Sequence, residues 1–215
     1  MRVRVNCIDE VKYGVCEDVY VEILRGLSDQ EVEEFNALLP LIPLPASNSS
    51  VEAGVEIQQL VALQNTQRSK MIDTIQIIDR DLISPFVTAC DQLKINPQLK
   101  MIEQIIEYGQ KIALFFKVHF NRARPFQIAL FHTTEFAPMA SISAWTPSYP
   151  SGHAIQAEML CKMYCGIYPE HSETWKSISK LISHTRMVGG YHYQSDIDCS
   201  IHIVNLIWSS NVKTN

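Results

Sequence analysis

The chain has 215 residues, 47% hydrophobic and 19% charged, with a formal net charge of −5. That composition suits one globular domain with a sizeable core, and it excludes extended disorder and collagen-like repeats. Net negative charge argues against a general nucleic-acid binder and against adhesion to an anionic membrane surface. No stretch reaches the ~18 uninterrupted apolar residues of a membrane span, and MRVRVNCIDEV has no apolar run of signal-peptide length. The expectation is a soluble, cytoplasmic chain.

Residues 1–27 give weak signals: MRVRVN alternates like a strand, and VKYGVCEDVYVEI is rich in β-branched residues. Ser28-Asp29-Gln30-Glu31 reads as a capping box, followed by Val32, Phe35, Leu38 and Leu39 on one helical face. The stretch PLIPLPASNSS (40–50) is a loop, because its prolines leave no room for a regular element. Too few residues precede it for an independent core, so 1–215 reads as a single domain. Within it, 1–50 is an extension and 51–210 a helical core.

Helical spacing dominates from 51 onward. Ile72, Ile75, Ile78, Leu82 and Phe86 recur at intervals of three and four, as do Met101, Ile105, Ile112 and Phe116. The pattern predicts one helix over 98–123, stopped by Pro125. A Thr-, Ser- and Pro-rich loop follows over roughly 132–152, and helices follow near 153–167, 172–187 and 192–209. The predicted architecture is an all-α bundle, and its apolar content leaves room for a homo-oligomer. Cys161 and Cys165 share a helical face at i, i+4, but no nearby Cys/His pair completes a zinc site, so they read as core thiols and no metal site is expected.

Three segments place phosphate-handling residue types at defined spacing. Lys117 and Arg124 lie seven residues apart, about 700° of helical rotation, which predicts two cations on one face two turns apart. Alone, the pair also fits a solvated basic face. Tyr149-Pro150-Ser151-Gly152-His153 runs straight into a predicted helix. Free amides at that helix start suit an anion, and Gly152 permits close approach. Ser151 reads either as a donor to the ligand or as an ordinary N-cap. Arg186-MVGGY-His192-YQS-Asp196 sets a carboxylate four residues after a histidine. Asp196 can then fix the tautomer and free the other ring nitrogen of His192 as a nucleophile or base, although a surface His–Asp pair would look the same. Together the three segments supply fixed cations, a buttressed nucleophile and a second histidine, which phosphoryl transfer needs.

These segments resemble the three-part signature of the type 2 phosphatidic acid phosphatase and vanadium haloperoxidase superfamily. Within it, RARPF, YPSGH and GYHYQSDID are most similar to the class A bacterial nonspecific acid phosphatases. The resemblance implies an all-α fold and a metal-independent phosphatase that acts on small phosphate monoesters without a cofactor. His192 would form a phosphohistidine, with Asp196 orienting it and His153 acting as general acid and then base. Lys117, Arg124, Ser151, Gly152 and Arg186 would bind the phosphoryl oxygens. Thr185 stands where that family usually has serine. The alternative within the fold is a vanadate-dependent haloperoxidase holding vanadate on His192, whereas for phosphatases vanadate would be an inhibitor.

Other readings are weaker. Ile77-Ile78-Asp79-Arg80-Asp81 superficially matches the start of a Mg²⁺-dependent haloacid-dehalogenase phosphatase, but the helical spacing around it favours a helix with a charged outer face. A non-enzymatic phosphate sensor would not need every signature residue. Trp145 and Tyr149 either line the substrate mouth or pack, and His119, His132, His171, His184 and His202 read as packing or surface residues.

Overall fold

The computed structural model describes residues 8–133 and 135–211. The strand-like MRVRVN segment lies outside them. Ten α-helices occur among the described residues: α1 Asp18–Arg25, α2 Asp29–Leu38, α3 Val51–Thr66, α4 Arg68–Arg80, α5 Ser84–Leu93, α6 Leu99–Phe120, α7 Pro125–Ile128, α8 Gly152–Ile167, α9 Ser172–Val188 and α10 Gln194–Asn211. The all-α expectation holds.

Helix α8 buries most of its circumference, and that places it at the centre. Ala154, Ile155, Ala157, Met159, Leu160, Cys161, Met163 and Tyr164 are all buried, and α6, α9 and α10 pack around it. On one side, Ile155 and Met159 join Phe35 of α2, Ile112 and Phe116 of α6, and Ile203 and Ile207 of α10. On the other, Leu160 and Tyr164 meet Phe86 of α5 and Trp175 and Ile182 of α9. There the Tyr164 ring stacks on Phe86 at 5.6 Å and on Trp175 at 4.6 Å. Burying each such side chain contributes about 1.5–3 kcal/mol, and truncating Trp175 to alanine would cost about 3–5 kcal/mol.

The capping box is present: Ser28 accepts from the Glu31 amide while Glu31 accepts from the Ser28 amide. The β-branched stretch near 19–23 is helical, in α1, because its apolar side chains lean on α6 rather than on a sheet. The long helix ends at Phe120, three residues earlier than its spacing predicts. Asn121 adopts a left-handed conformation (φ 47°) and closes α6. Pro125 opens α7 and holds Arg124 extended at φ −72°, ψ 156°. Lys117 and Arg124 therefore do not share a helical face. Helix α10 likewise begins at Gln194, so His192 precedes it.

Candidate active site

A cavity of about 350 Å³ opens between the C-terminal end of α6 and the N-terminal end of α8. Lys117, Arg124, Gly152, His153, Arg186 and His192 line it, although they come from three separate stretches of sequence. Ser151 and Asp196 are not in its wall. Ser151 is the N-cap of α8, accepting from the Ala154 amide at 3.4 Å, which is the ordinary capping reading of that residue. As first-turn residues, Gly152 and His153 have amides with no intrahelical partner, and these sit at the positive end of the helix.

Two local devices bring His192 to this point. Gly190 has φ +80°, and a Cβ there would lie 2.9 Å from Phe136 and 3.2 Å from the Pro138 backbone, so only glycine fits. The resulting reversal lets the amides of Tyr191 and His192 both donate to the Arg186 carbonyl, at 2.9 and 3.3 Å. The second and third motifs are also stitched together. The Ser151 amide donates to the Asp196 carbonyl and to Ser200 Oγ, while the single Ser200 hydroxyl proton has the Ser151 and Asp196 carbonyls as alternative acceptors, at 2.9 and 2.7 Å.

His192 is held from both sides. Its Nδ1 lies 3.1 Å from Asp196 Oδ2, and its Nε2 lies 3.0 Å from Arg124 Nη1. A guanidinium can only donate, so Nε2 carries the lone pair and Nδ1 the proton. Burial, with Arg124 adding to it, holds the imidazole pKa well below its usual value and keeps the ring neutral. Asp196 is itself enclosed. Burial alone would raise its pKa, but Arg122, His192 and Ser148 outweigh burial and keep it ionised well below the usual carboxylate range. The contacts are Arg122 Nη1 at 2.6 Å, Ser148 Oγ at 2.6 Å and the Tyr193 amide at 3.0 Å.

The three cations are buried, and backbone carbonyls fix two of them, Arg124 and Lys117. Arg124 Nε donates to the Thr146 carbonyl at 2.7 Å and Nη1 to the Tyr191 carbonyl at 2.8 Å. Burial pushes its pKa down to about 10, which still leaves it charged at neutral pH. Lys117 Nζ donates to the Pro147 carbonyl, and burial together with Arg124 holds its pKa well below that of a free lysine. Arg186 pairs with Asp79 at 2.8 Å, donates to Ser143 Oγ at 2.9 Å and lies 4.4 Å over the Tyr191 ring. The ion pair engages Nη1, whereas Arg186 Nε is buried without a hydrogen-bond partner. His153 keeps part of its surface on the cavity. Burial and then Arg186 hold its pKa well below the usual histidine value, opposed by Asp79 and by a hydrogen bond to the Ile78 carbonyl.

Several contributors were not singled out by sequence. Arg122 links Asp196 to Glu56 of α3 at 2.9 Å, and Glu56 in turn accepts from the Ser195 amide at 2.7 Å. No local pattern marked Arg122, because its direction depends on the chain leaving the helix at Asn121. Asp79 is buried rather than on a charged outer face of α4, because it accepts from Ser141, Ser143 and the Ile142 amide as well as pairing with Arg186. Ser143, Thr146 and Ser148 place the loop before the second motif directly on the site's charged groups. Tyr20 of α1 also enters the cavity wall, so the N-terminal extension takes part. Tyr149 is core and donates to the Pro43 carbonyl, while Trp145 is exposed outside this cavity. Cys161 and Cys165 are free thiols with sulfurs 4.0 Å apart, and no group of three His, Cys, Asp or Glu side chains among the described residues is placed to hold a metal ion.

Among the described residues, no helix is long and apolar enough to cross a membrane. A comparison with curated proteins finds no match. Among solved structures, the chain is similar to the transmembrane PAP2 type phosphatidylglycerolphosphate phosphatase from Bacillus subtilis. The identity is 16% and the TM-score 0.37, over 92% of this chain and 94% of that one. The PAP2 superfamily model matches residues 105–209, a span that contains Lys117, Arg124, Ser151 to His153, Arg186, His192 and Asp196, and this part of the chain is a PAP2 superfamily domain.

Proposed function

We propose that the chain is a phosphatase hydrolysing small phosphate monoesters through a phosphohistidine on His192. The observation that carries this reading is the charge of the cavity wall: Lys117, Arg124 and Arg186 line it, and no Asp or Glu does. Such a pocket selects a small anion, and the neutral, singly protonated His192 beside it is a nucleophile rather than a further cation. Membership of the PAP2 superfamily supports phosphatase-type hydrolysis.

In the proposed reaction, His192 Nε2 attacks phosphorus as the ester P–O bond breaks, and protonated His153 gives its proton to the leaving oxygen. Water then attacks phosphorus, its proton passes to His153, the P–N bond breaks and phosphate departs. Arg124 Nη1 transfers its hydrogen bond from Nε2 to a phosphoryl oxygen, which exposes the lone pair as the substrate seats. Lys117, Arg186 and the Gly152 amide take the remaining oxygens, and the fixed cations fill the role that Mg²⁺ plays in other phosphatases. Ser151 contributes by capping the helix that presents that amide.

Rapid-quench labelling with a phosphate-labelled ester tests this. Base-stable, acid-labile label should map to His192 and vanish in His192→Ala, with turnover unaffected by a chelator. Label on Ser151, or activity that a chelator abolishes and Mg²⁺ restores, would overturn the mechanism.

A further inference from the structure

The cavity has two unlike halves. Lys117, Arg124 and Arg186 form a buried cationic floor, whereas the more exposed lining residues, Tyr20, Ile106, Gln110, Ile142 and Gln156, are neutral. The direction of this neutral half follows from helix geometry. Gln110 precedes Lys117 by seven residues and Ile106 by eleven, so these side chains climb the same face of α6, about 10 and 16 Å up its axis. On α8, Gln156 lies one turn beyond His153. The neutral half therefore extends from the side of the general acid, where an in-line displacement sends the leaving oxygen.

Gln156 is built into place. Its Nε2 donates to the Ile106 carbonyl at 3.0 Å, which leaves its Oε1 to accept from a ligand. It also fills the space above Gly109, where any Cβ would come within 2.9 Å of Gln156 Cγ. A glycine in the middle of a 22-residue helix is disfavoured relative to alanine, and here it admits Gln156 between α6 and α8. Tyr20 reaches the same cavity from α1, adding an aromatic surface to its wall.

We propose that Tyr20, Gln110 and Gln156 form a leaving-group subsite for an uncharged, ring-bearing alcohol, a deepening that rests on the monoesterase reading above. The two amides can hydrogen-bond the hydroxyls or heteroatom edges of such a ring, and Tyr20 with Ile106 supplies apolar surface for its faces. An acyl chain would leave the amides without partners. A second phosphate would stand among neutral groups, away from the cations.

The test compares kcat/KM for a nucleoside 5′-monophosphate, glycerol 1-phosphate and inorganic pyrophosphate. The first two release primary alkoxides of similar basicity, so their ratio reports binding of the leaving group. The wild type should prefer the nucleotide by about tenfold or more. Tyr20→Ala and Gln156→Leu should remove that preference while leaving glycerol 1-phosphate within about twofold. Gln110→Lys should instead raise pyrophosphate turnover about tenfold, a gain that a misfolded variant cannot mimic. Parallel losses on every substrate, or a wild type that prefers pyrophosphate or shows no preference, would overturn the subsite while leaving the phosphatase reading intact. A wild type that hydrolyses none of the three would remove both.

Discussion

Arg124 Nη1 sits 3.0 Å from His192 Nε2, so a phosphate-binding cation of this site also caps the lone pair of its nucleophile. With Asp196 on Nδ1, the imidazole is fixed in one tautomer from both ends. Removing Arg124 takes away a cation that lowers the His192 pKa, so that pKa should rise in Arg124→Ala. Turnover should fall by about two to three orders of magnitude, since one oxyanion-directed donor is lost. Titration of the His192 ring signals by NMR, with kcat/KM alongside, checks both. An unchanged histidine pKa would show that Arg124 does not govern the nucleophile.

The two histidines set the expected pH profile. Both have pKa values held below the ordinary histidine value, mainly by burial. His192 works neutral, so its limb appears only as pH falls through its lowered pKa, below about 6.5. His153 must donate a proton to a poor leaving group, so activity on alkyl phosphates should decline as pH rises through its own lowered pKa. The product of the two is an acidic optimum in kcat/KM. A bound phosphate dianion favours protonated His153, so the alkaline limb of kcat should lie higher than that of kcat/KM. His153→Asn should flatten the alkaline limb and harm alkyl phosphates far more than nitrophenyl phosphate. An optimum above pH 8 would contradict these roles.

Asp79 ties Arg186 to the 141–143 loop, and its removal should be felt at the site as well as in stability. Burial alone would raise its pKa, but Ser143, Arg186 and the Ile142 amide bring it to about 2. A carboxylate depressed on folding contributes stability that is complete above its unfolded pKa of about 3.9 and is lost as pH falls through the folded value. Asp79→Asn should therefore be less stable at neutral pH by about 3 kcal/mol, the cost of breaking a buried pair. It should lose less additional stability than the wild type between about pH 4 and 2. Chemical denaturation across that range, with kcat/KM measured at the optimum, tests the assignment. An identical pH dependence in both proteins would count against it.

The helices were legible because α6, α8 and α9 bury stripes at helical spacing, and the motif residues were legible because their spacing is chemical. What stayed hidden depended on where backbone regularity stops. Lys117 and Arg124 looked like helical neighbours, yet Asn121 and Pro125 break the helix between them, and the same break turns Arg122 toward Asp196. The two cations still meet at one cavity, because the 146–148 loop supplies carbonyls to both. Asp79 was hidden for a different reason. Its partners lie more than 60 residues away in a loop with no periodic pattern, so nothing local distinguished it from a surface acid. Tyr20 shares that difficulty, since its role depends on where α1 docks.

Orthovanadate should inhibit competitively, well below the KM for a monoester. Vanadate becomes five-coordinate readily, with three equatorial oxygens and two apical positions, and so resembles a phosphoryl group midway between nucleophile and leaving oxygen. His192 Nε2 would take one apex once Arg124 moves its hydrogen bond to an equatorial oxygen, and His153 faces the same cavity. Arg186 Nε, buried without a hydrogen-bond partner, would find an equatorial acceptor in the complex. That gain is absent with a monoanion too small to reach every cation, so chloride should compete far more weakly than vanadate. The same complex is the working form of a vanadate-dependent haloperoxidase, and output separates the two. Phosphatase turnover blocked by vanadate, with only slow peroxide-dependent halide oxidation, supports the proposed reaction. Fast halide oxidation with negligible ester hydrolysis would transfer the assignment to the peroxidase, and a wild type that binds no vanadate would count against both.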